Sequence, residues 1–401
     1  MIDSFISEAA QRARMFDEQR TGITQSPFVR DPKSHFMEEG FEATRRRSRV
    51  DEELEELLAS RRSLIKVVGC GGAGNNTINR ISDVGVEGAD IIALNTDAQD
   101  LLYTNAAIKI LLGKDLTTGL GTGSNPELGF EAARESEAEI REVLKGAHMV
   151  FITAGLGGGT GTGSAPVVAE IAKKMGALTV AVVTLPFTME GQKRFENALW
   201  GLQRLENVVD TLIVVPNDKL LELSPDLPVH VAFKLADEIL TNAVKGITEL
   251  ITKPGLINLD FADIKAIMTE GGVALIGLGE SDSDKRADEA VQKAITNPLV
   301  DVNIDGGKGA LINVQGGPNM TLDEVKQVVS QVTDKLDPNA KIIFGAQILP
   351  DLQNLIRVML VITGVESPQI FGPKHTISSK KKTKLSEDLG IDFIDGKKKT
   401  Y

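Results

Sequence analysis

Cysteine, histidine and aromatic residues are scarce in this chain of 401 residues. It has one cysteine, Cys70, and four histidines that are scattered along the sequence. One cysteine cannot build a disulfide framework, and the missing Cys pair removes zinc-ligand spacings and Cys/His nucleophile arrangements. We therefore expect a protein of the reducing cytoplasm, whose chemistry depends on carboxylates, backbone amides or a bound nucleotide, and we assign no metal ligand.

Basic charge and long apolar runs are also in short supply. There are 44 Lys and Arg against 56 Asp and Glu, a net charge of −12, which excludes a binder that neutralises nucleic-acid phosphates without sequence preference. The longest apolar stretches, such as residues 177–187, are about half of the roughly 20 residues that a membrane-spanning helix needs. No signal-peptide pattern opens the chain, so we expect neither a span nor secretion.

What the chain does contain is an alternation of strand-like and helix-like runs. Helices are predicted to begin near Asn75 and near Ala165. Strands are predicted at residues 64–68, 90–94, 149–153, 179–185 and 212–215. This alternation predicts an α/β fold with a doubly wound, mostly parallel sheet.

A long helix and a second set of elements follow. From Val229 to Ile251 apolar residues keep a 3,4 spacing, and Pro254 and Gly255 end the run. Strands at 309–314, 342–348 and 355–363 with a helix at 322–336 predict a smaller α+β domain. The expected organisation is an extension at 1–63, a nucleotide domain at 64–227, a central helix at 228–253, a second domain at 254–366, and a linker with a docking peptide at 367–401.

The two ends of the chain differ in composition from this body. Helical spacing at residues 2–16 and 50–58 predicts two short amphipathic helices, which could grip a membrane surface or a partner, or pack on their own domain. The lysine-rich end carries a small apolar island in residues 389–394, formed by Leu389, Ile391, Phe393 and Ile394. That pattern is typical of a flexible linker ending in a docking peptide.

The first glycine-rich loop, residues 69–76, fits G-x-G-x-x-G between a strand and a helix. Such a loop lets backbone amides and a helix N-terminus approach a phosphate. It also fits a nicotinamide or flavin dinucleotide site, with Asp97 as the acid that binds the ribose. A tight strand-to-helix turn without a ligand is a third interpretation.

A second loop, residues 155–164, is richer in glycine and carries Thr160 and Thr162. Its amides and hydroxyls would form a cup of donors for a di- or triphosphate, and dinucleotide enzymes need no second loop of this kind. A third loop at 117–126 adds further donors. The P-loop pattern G-x-x-x-x-G-K-[ST] does not occur.

Residues 157–163 resemble the signature of the tubulin and FtsZ superfamily. Further motifs resemble its FtsZ branch, the prokaryotic cell-division proteins, in the expected order over about residues 64–366. They are Asn95-Thr96-Asp97, Thr184-Leu185-Pro186-Phe187 with Glu190 and Arg194, Pro216-Asn217-Asp218, and residues 258–263. Thr118 stands where many relatives have Arg, and the tail resembles archaeal FtsZ tails more than bacterial ones.

The resemblance implies GTP and GDP binding in the first domain, head-to-tail homopolymerisation in the cell-division ring at mid-cell, and GTP hydrolysis at the joint between subunits. The residues implied for the phosphates are Gly71, Gly72, Asn75, Gly157, Gly158, Gly159, Thr160, Gly161 and Thr162. Those implied for the ribose side are Glu190, Arg194 and Asn217, and those for guanine are Phe233 and Asp237.

The last pair agrees with helix geometry. Phe233 and Asp237 are four residues apart, so an aromatic plane and a carboxylate can meet one base, with the carboxylate accepting from the N1–H and 2-amino groups of guanine. The residues alone leave a plainer alternative open. Phe233 lies on the apolar stripe of its helix, and Asp237 could be a surface acid.

Asn258, Asp260 and Asp263 are the candidate catalytic residues, because three polar groups could orient and polarise a water. Asp260 could equally be the N-cap of a helix with Asp263 in its first turn. In the family this loop enters the nucleotide site of the neighbouring subunit. A head-to-tail contact that does not close on itself yields a filament.

The resemblance also implies Mg²⁺ held mainly by phosphates and water, and a membrane-tethering adaptor that binds residues 389–394. Lysines at 380–384 could add attraction to anionic lipid or form a solvated linker. Two rival classes stay open, a dinucleotide oxidoreductase and a tubulin-like regulator that binds nucleotide without turnover. The first leaves residues 157–163 unexplained, and the second would be expected to lose Asp260 or Asp263.

Overall fold

The computed structural model describes residues 64–223, 229–253, 255–257, 259–269, 271–296, 304 and 306–365. The helices predicted in the extension and the docking peptide lie outside these residues. The strands are β1 (Ile65–Cys70), β2 (Ala89–Asn95), β3 (Ile108–Leu111), β4 (Met149–Gly155), β5 (Leu178–Leu185), β6 (Thr211–Pro216), β7 (Gly272–Ser281), β8 (Gly309–Gly316), β9 (Lys341–Ile348) and β10 (Ile356–Thr363).

All ten strands form one sheet, in the order β3-β2-β1-β4-β5-β6-β7-β10-β8-β9. The strands from β3 to β6 are parallel throughout, and β10 runs antiparallel to both β7 and β8. The predicted doubly wound, mostly parallel sheet is confirmed. Every residue of β1 and β5 is buried, as expected of parallel strands covered on both faces.

The helices connect and cover these strands. They are α1 (Gly71–Val84), α2 (Ala98–Tyr103), α3 (Lys114–Thr117), α4 (Pro126–Glu135), α5 (Glu137–Leu144), α6 (Thr160–Lys174), α7 (Gln192–Val208), α8 (Asn217–Leu223), α9 (Val229–Thr252), α10 (Phe261–Met268), α11 (Arg286–Ile295) and α12 (Leu322–Thr333). Side-chain caps start several of them: Asn125 accepts from the backbone of α4, and Thr321 forms a capping box with Glu324 at α12.

The main core lies between the sheet and two helices, α1 and α9. Alternate residues of β1, Ile65 and Val67, face this side together with Ile78 of α1. The predicted stripe of α9 is buried here at Leu235, Ala236, Ile239, Leu240, Ala243, Val244, Ile247 and Leu250. Burial of this stripe fixes α9 across the face of the sheet.

The parallel strands join the rest of the sheet at a short seam. β6 pairs with β7 at Thr211 with Gly272, Leu212 with Val273, and Ile213 with Ala274, whereas β10 pairs with β8 along its whole length. The sheet is therefore continuous from the glycine loops to the last strand.

Two predicted helix starts are wrong. α1 begins at Gly71 instead of near Asn75, and α6 begins at Thr160 instead of near Ala165. Because glycine has a poor helix propensity, a helix start predicted from the sequence falls after the glycines. The close approach of the two loops nevertheless puts these glycines inside the first helical turns.

Candidate functional site

The carboxyl ends of the parallel strands meet at one edge of the sheet, which we call the loop edge. The segments that follow β1, β2, β4, β5 and β6 there contain most of the predicted nucleotide-binding residues. This edge of an open parallel sheet is where ligands bind in α/β folds. The third loop reaches the same edge, because Gly121 N donates to Thr96 O at 3.1 Å.

The first and second glycine loops touch each other. Gly71 has a φ of +71°, and a methyl group on it would lie 2.6 Å from the backbone nitrogen of Gly161. A methyl group on Gly161 would lie 2.8 Å from Cys70 O. Side chains would block this approach, so glycine is required at both positions. The structure thus brings together the first two glycine loops, as the phosphate-binding prediction requires.

Gly158 differs from its neighbours in having open space beside it. A methyl group on Gly158 would meet no atom within 4 Å, whereas one on Gly159 would collide with the Thr122 hydroxyl. Gly157 has a φ of +108°. At Gly158 the backbone therefore faces a space that the protein leaves open, as a phosphate cradle requires.

Two threonines of the second loop have different surroundings. Thr160 Oγ1 lies 2.6 Å from Thr96 Oγ1 and 3.3 Å from Thr122 Oγ1, so its hydroxyl joins three loops. Thr162 is fully buried, and its Oγ1 accepts a hydrogen bond from Gly157 N at 2.9 Å. Thr160 stands at the surface of the cradle, and Thr162 fixes the loop from beneath.

Asn75 is completely buried below the first loop. Its Nδ2 lies 3.5 Å from Asp100 Oδ2, which also accepts from Asn95 Nδ2 at 2.6 Å. Burial, together with the charge of Asp97, raises the pKa of the Asp100 carboxyl. Asn75 Oδ1 has no hydrogen-bond partner within the described part of the chain, and a buried acceptor of this kind fits a ligand that brings a donor.

The predicted ribose-side residues follow β5 and β6. Glu190 accepts from Phe187 N at 2.9 Å and forms an ion pair with Arg194 at 2.6 Å. Asn217 is 5% exposed, and its Oδ1 finds no partner among the described residues. A ribose hydroxyl is a donor that would satisfy it.

The base-side residues lie at the start of α9. Phe233 is 42% exposed, so it does not serve as the core residue that its apolar stripe allowed. Asp237 Oδ1 lies 3.3 Å from Thr77 Oγ1, and burial raises the pKa of the Asp237 carboxyl to about 7. An exposed ring beside a partly buried carboxylate is the arrangement that the guanine prediction requires.

Asp260 and Asp263 lie at the opposite edge of the sheet. α9 runs from Phe233, near Phe187 at the loop edge, to Thr252, whose hydroxyl donates to Glu87 O just before β2 begins. Phe261 then lies beside His148, which immediately precedes β4, with ring centroids 6.2 Å apart.

The carboxylates are thus separated from the glycine loops of the same chain by about the length of a strand, roughly 23 Å for seven residues. Both are exposed at this edge. The N-cap interpretation of Asp260 is confirmed, because its Oδ1 accepts from Ala262 N at 3.2 Å. Asn258 lies outside the described residues.

Two residues that shape the site have roles that sequence reasoning did not assign: Asp97, which one interpretation placed at a ribose, and Asn197, which had no predicted role. Asp97 is the N-cap of α2, accepting from the backbone of Gln99 and Asp100, instead of the acid of a dinucleotide site. Asn197 donates to Ser124 O and Gly157 O, which ties the third loop to the second. Asn197 lies on α7, far in sequence from both loops, so no local sequence pattern could have identified it.

Among the described residues, no cluster of three or more His, Cys, Asp or Glu side chains could hold a metal ion. No helix in the same part of the chain is long and apolar enough to cross a membrane.

Two family models match the chain in sequence order. Residues 64–225 match the GTPase domain of the tubulin/FtsZ family, and residues 272–366 match the C-terminal domain of the FtsZ family. This chain belongs to the FtsZ family. It is accordingly a cell-division GTPase that binds guanine nucleotide, and both rival classes left open by the sequence are excluded.

Several curated FtsZ proteins from archaea are very similar. Cell division protein FtsZ 1 of Thermococcus kodakarensis is 64% identical over 324 residues, covering 81% of this chain and 87% of the relative. Cell division protein FtsZ 1 of Archaeoglobus fulgidus is 53% identical over 365 residues, covering 91% and 96%.

Solved structures agree with this assignment. An empty FtsZ dimer from M. jannaschii is 61% identical with a TM-score of 0.75, covering 79% of this chain and 92% of that one. CetZ1 of Haloferax volcanii, a GDP-bound monomer, has a TM-score of 0.68 at 21% identity, covering 82% and 100%, which shows the shared fold.

Proposed function

We propose that this FtsZ-family GTPase assembles head to tail into filaments of the division ring, and that GTP is hydrolysed at the joint between subunits. Asp260 and Asp263, with Asn258, would act on the nucleotide held by the neighbouring subunit. The observation that carries this proposal is the placement of the two aspartates and the glycine loops at opposite edges of one sheet.

The loop edge would bind the phosphates, the ribose and the base of GTP. Gly71, Gly72 and residues 157–162 would surround the phosphates with amide and hydroxyl donors, and Asn75 would support this loop from below. Asn217, Glu190 and Arg194 would hold the ribose side, and Phe233 and Asp237 the base. The amide and hydroxyl donors of the loops suit phosphate oxygens, and the free acceptor of Asn217 suits a ribose hydroxyl.

Mg²⁺ held with the nucleotide at the loop edge would supply Lewis-acid stabilisation of the phosphate charge. Its ligands would be mainly phosphates and water.

The edge of the neighbouring subunit that carries Asp260 and Asp263 would complete the site. One oxygen of Asp260 is engaged as a helix cap, which leaves the other to orient a water against the γ-phosphate. Asp263, in the first turn of the same helix, is exposed and could take up the proton that this water loses. The products are GDP and phosphate, and loss of the γ-phosphate would weaken the joint.

The domain boundaries and the cellular context remain part of this proposal. Residues 64–227 would form the GTP-binding domain, 228–253 the central helix and 254–366 the activation domain, flanked by the extension 1–63 and the linker 367–401. Residues 389–394 would bind a membrane-tethering adaptor, which would hold the filament in the cytoplasm at the mid-cell ring.

Mixing two inactive variants tests the shared site. Gly158→Val places its Cβ where no protein atom lies within 4 Å and extends its methyl groups into the cradle, so it should fold but not bind GTP. Asp263→Ala should bind GTP without turning it over. We expect phosphate release to reappear in the mixture, because the variant with the intact loop edge receives Asp263 from the other.

The control is each variant alone across the same protein concentrations, with wild-type protein alongside. Wild-type turnover per subunit should rise from near zero above a threshold concentration. A wild-type rate that is flat with concentration, or a mixture as inactive as its components, would show that the site is not shared.

A further inference from the structure

Thr77 links two parts of the candidate site that are distant in sequence. It lies on α1, directly after the first glycine loop, and is completely buried. Its hydroxyl oxygen lies 3.2 Å from Ala73 O and 3.3 Å from Asp237 Oδ1. A hydroxyl has one proton, so Thr77 donates to one of these acceptors at a time.

The surroundings of Asp237 make this donor important. Burial opposes the charged carboxylate, and two groups of α1 favour it: the Thr77 hydroxyl and the positive charge of Arg80. Arg80 is 3.8 Å from Glu238, so part of its charge is directed at another carboxylate. Thr77 Oγ1, 3.3 Å from Asp237 Oδ1, is within hydrogen-bond distance of this carboxylate.

Recognition of guanine by this carboxylate would require its charged form. An ionised carboxylate accepts from both N1–H and the 2-amino group, whereas a protonated one presents a donor where the base also has a donor. A carboxylate oxygen has two lone pairs, so Oδ1 can accept from Thr77 and from the base at once. The hydroxyl therefore does not compete with the nucleotide.

We propose that Thr77 is a positioning residue for guanine recognition. Its hydroxyl donates a hydrogen bond to Asp237 Oδ1 and so holds that carboxylate ionised and oriented toward the base. This proposal rests on the proposed function, in which Asp237 contacts guanine. It adds that α1 serves the nucleotide at two points, with its first turn at the phosphates and Thr77 at the base.

The proposal predicts a pH dependence specific to Thr77. With a carboxyl pKa raised to about 7, wild-type GTP affinity should fall as the pH drops below neutrality. Without the hydroxyl the carboxyl pKa rises further, because a hydrogen bond to the charged form is lost. The decline in affinity should then begin at a higher pH.

Calorimetric titration of full-length protein with GTP from pH 6 to pH 9 tests this. We expect Thr77→Val, which keeps the side-chain shape, to weaken GTP binding about tenfold at pH 7, the range of one hydrogen bond to a charged group. At pH 9 the difference from wild type should shrink to about twofold. Thr77→Ser, which restores the hydroxyl, should recover the wild-type profile.

Thr241→Val is the matched control. Thr241 is 1% exposed on α9, and its hydroxyl has no partner among the described residues. This variant should leave the pH profile unchanged. A Thr77→Val deficit that is equal at every pH would overturn the proposal, since it would indicate a packing role.

Failure of the underlying assignment gives a different result. If Asp237 does not contact guanine, Asp237→Asn will bind GTP as tightly as wild type does and with the same pH profile. If Asp237→Asn loses affinity while Thr77→Val matches wild type at every pH, the base assignment stands and the role of Thr77 is refuted.

Discussion

Phe187 and Phe233 meet edge to face, with ring centroids 5.0 Å apart and ring planes at 86°. Phe187 follows β5 and is 3% exposed, whereas Phe233 on α9 is 42% exposed. One ring is thus part of the packed interior, and it holds the other at the surface, facing the space assigned to the base. In this one contact, Phe187 contributes to the stability of the fold and Phe233 is available for binding.

Alanine substitutions should reveal this separation. Phe187→Ala should lower the free energy of unfolding by about 3–5 kcal/mol, because it leaves a cavity. Phe233→Ala should cost about 1 kcal/mol, chiefly the lost edge-to-face contact, but should weaken GTP binding more strongly. Denaturant unfolding and GTP titration of both variants measure the two effects. Equal stability losses would contradict the assignment.

Adjacent glycines of the second loop should also behave differently. Gly159→Ala would push a methyl group against the Thr122 hydroxyl and to 2.8 Å from Asn125 N, an overpacking cost of about 1–3 kcal/mol. Gly158→Ala meets no protein atom and should leave the melting temperature unchanged while weakening GTP binding. Thermal unfolding without nucleotide, followed by GTP titration, distinguishes them. A destabilised Gly158→Ala would argue against an open cradle.

Asp260 combines a cap with the proposed catalytic role, and two substitutions distinguish these. Asp260→Asn keeps a side-chain acceptor for Ala262 N and should preserve stability, whereas Asp260→Ala should cost about 1 kcal/mol. Both should lose GTP turnover, because neither retains the carboxylate. Phosphate release at saturating protein is the measurement, and full turnover by Asp260→Asn would reduce Asp260 to a cap.

Arg286 and Glu324 should confer stability that depends on pH. Arg286 is 9% exposed and donates from Nε and Nη2 to the two carboxylate oxygens of Glu324. This contact lowers the pKa of Glu324 below its ordinary 4.5. A lowered folded-state pKa adds stability above pH 4.5, which is lost as the pH falls through the folded value.

Glu324→Gln should therefore cost about 1–3 kcal/mol at pH 7 and have a smaller effect in acid. Arg286→Ala should cost about 3–5 kcal/mol, since it leaves a partly buried carboxylate without its partner. Urea unfolding between pH 3 and pH 7 checks both. A Glu324→Gln cost that does not change with pH would show that the charge is irrelevant.

Local patterns in this sequence predicted most of the helices and strands, but they did not predict how these elements pack together. Alternating apolar runs predicted β4 and β5 correctly, and the 3,4 spacing predicted α9. β7 was not predicted, because its glycines, Gly277 and Gly279, weaken a strand pattern; in the structure they allow close packing against Ala294 and Ala290 of α11. Such a requirement arises only from tertiary packing.

The candidate site shows the same division. The glycine loops follow from local composition, and the resemblance placed Phe233 and Asp237 at the base. The contact of Asp237 with Thr77 could not be predicted, because it depends on how α1 and α9 pack. The distance of Asp263 from the loops of its own chain depends on the direction in which α9 crosses the sheet.

The separation of Asp263 from the glycine loops determines how many complete hydrolytic sites the proposed filament contains. Each joint makes one complete hydrolytic centre, so a filament has one fewer such centre than it has subunits. The subunit at one end always holds a nucleotide that no carboxylate reaches. Short oligomers therefore consume less GTP per subunit than long ones, and that terminal nucleotide stays intact until the next subunit arrives.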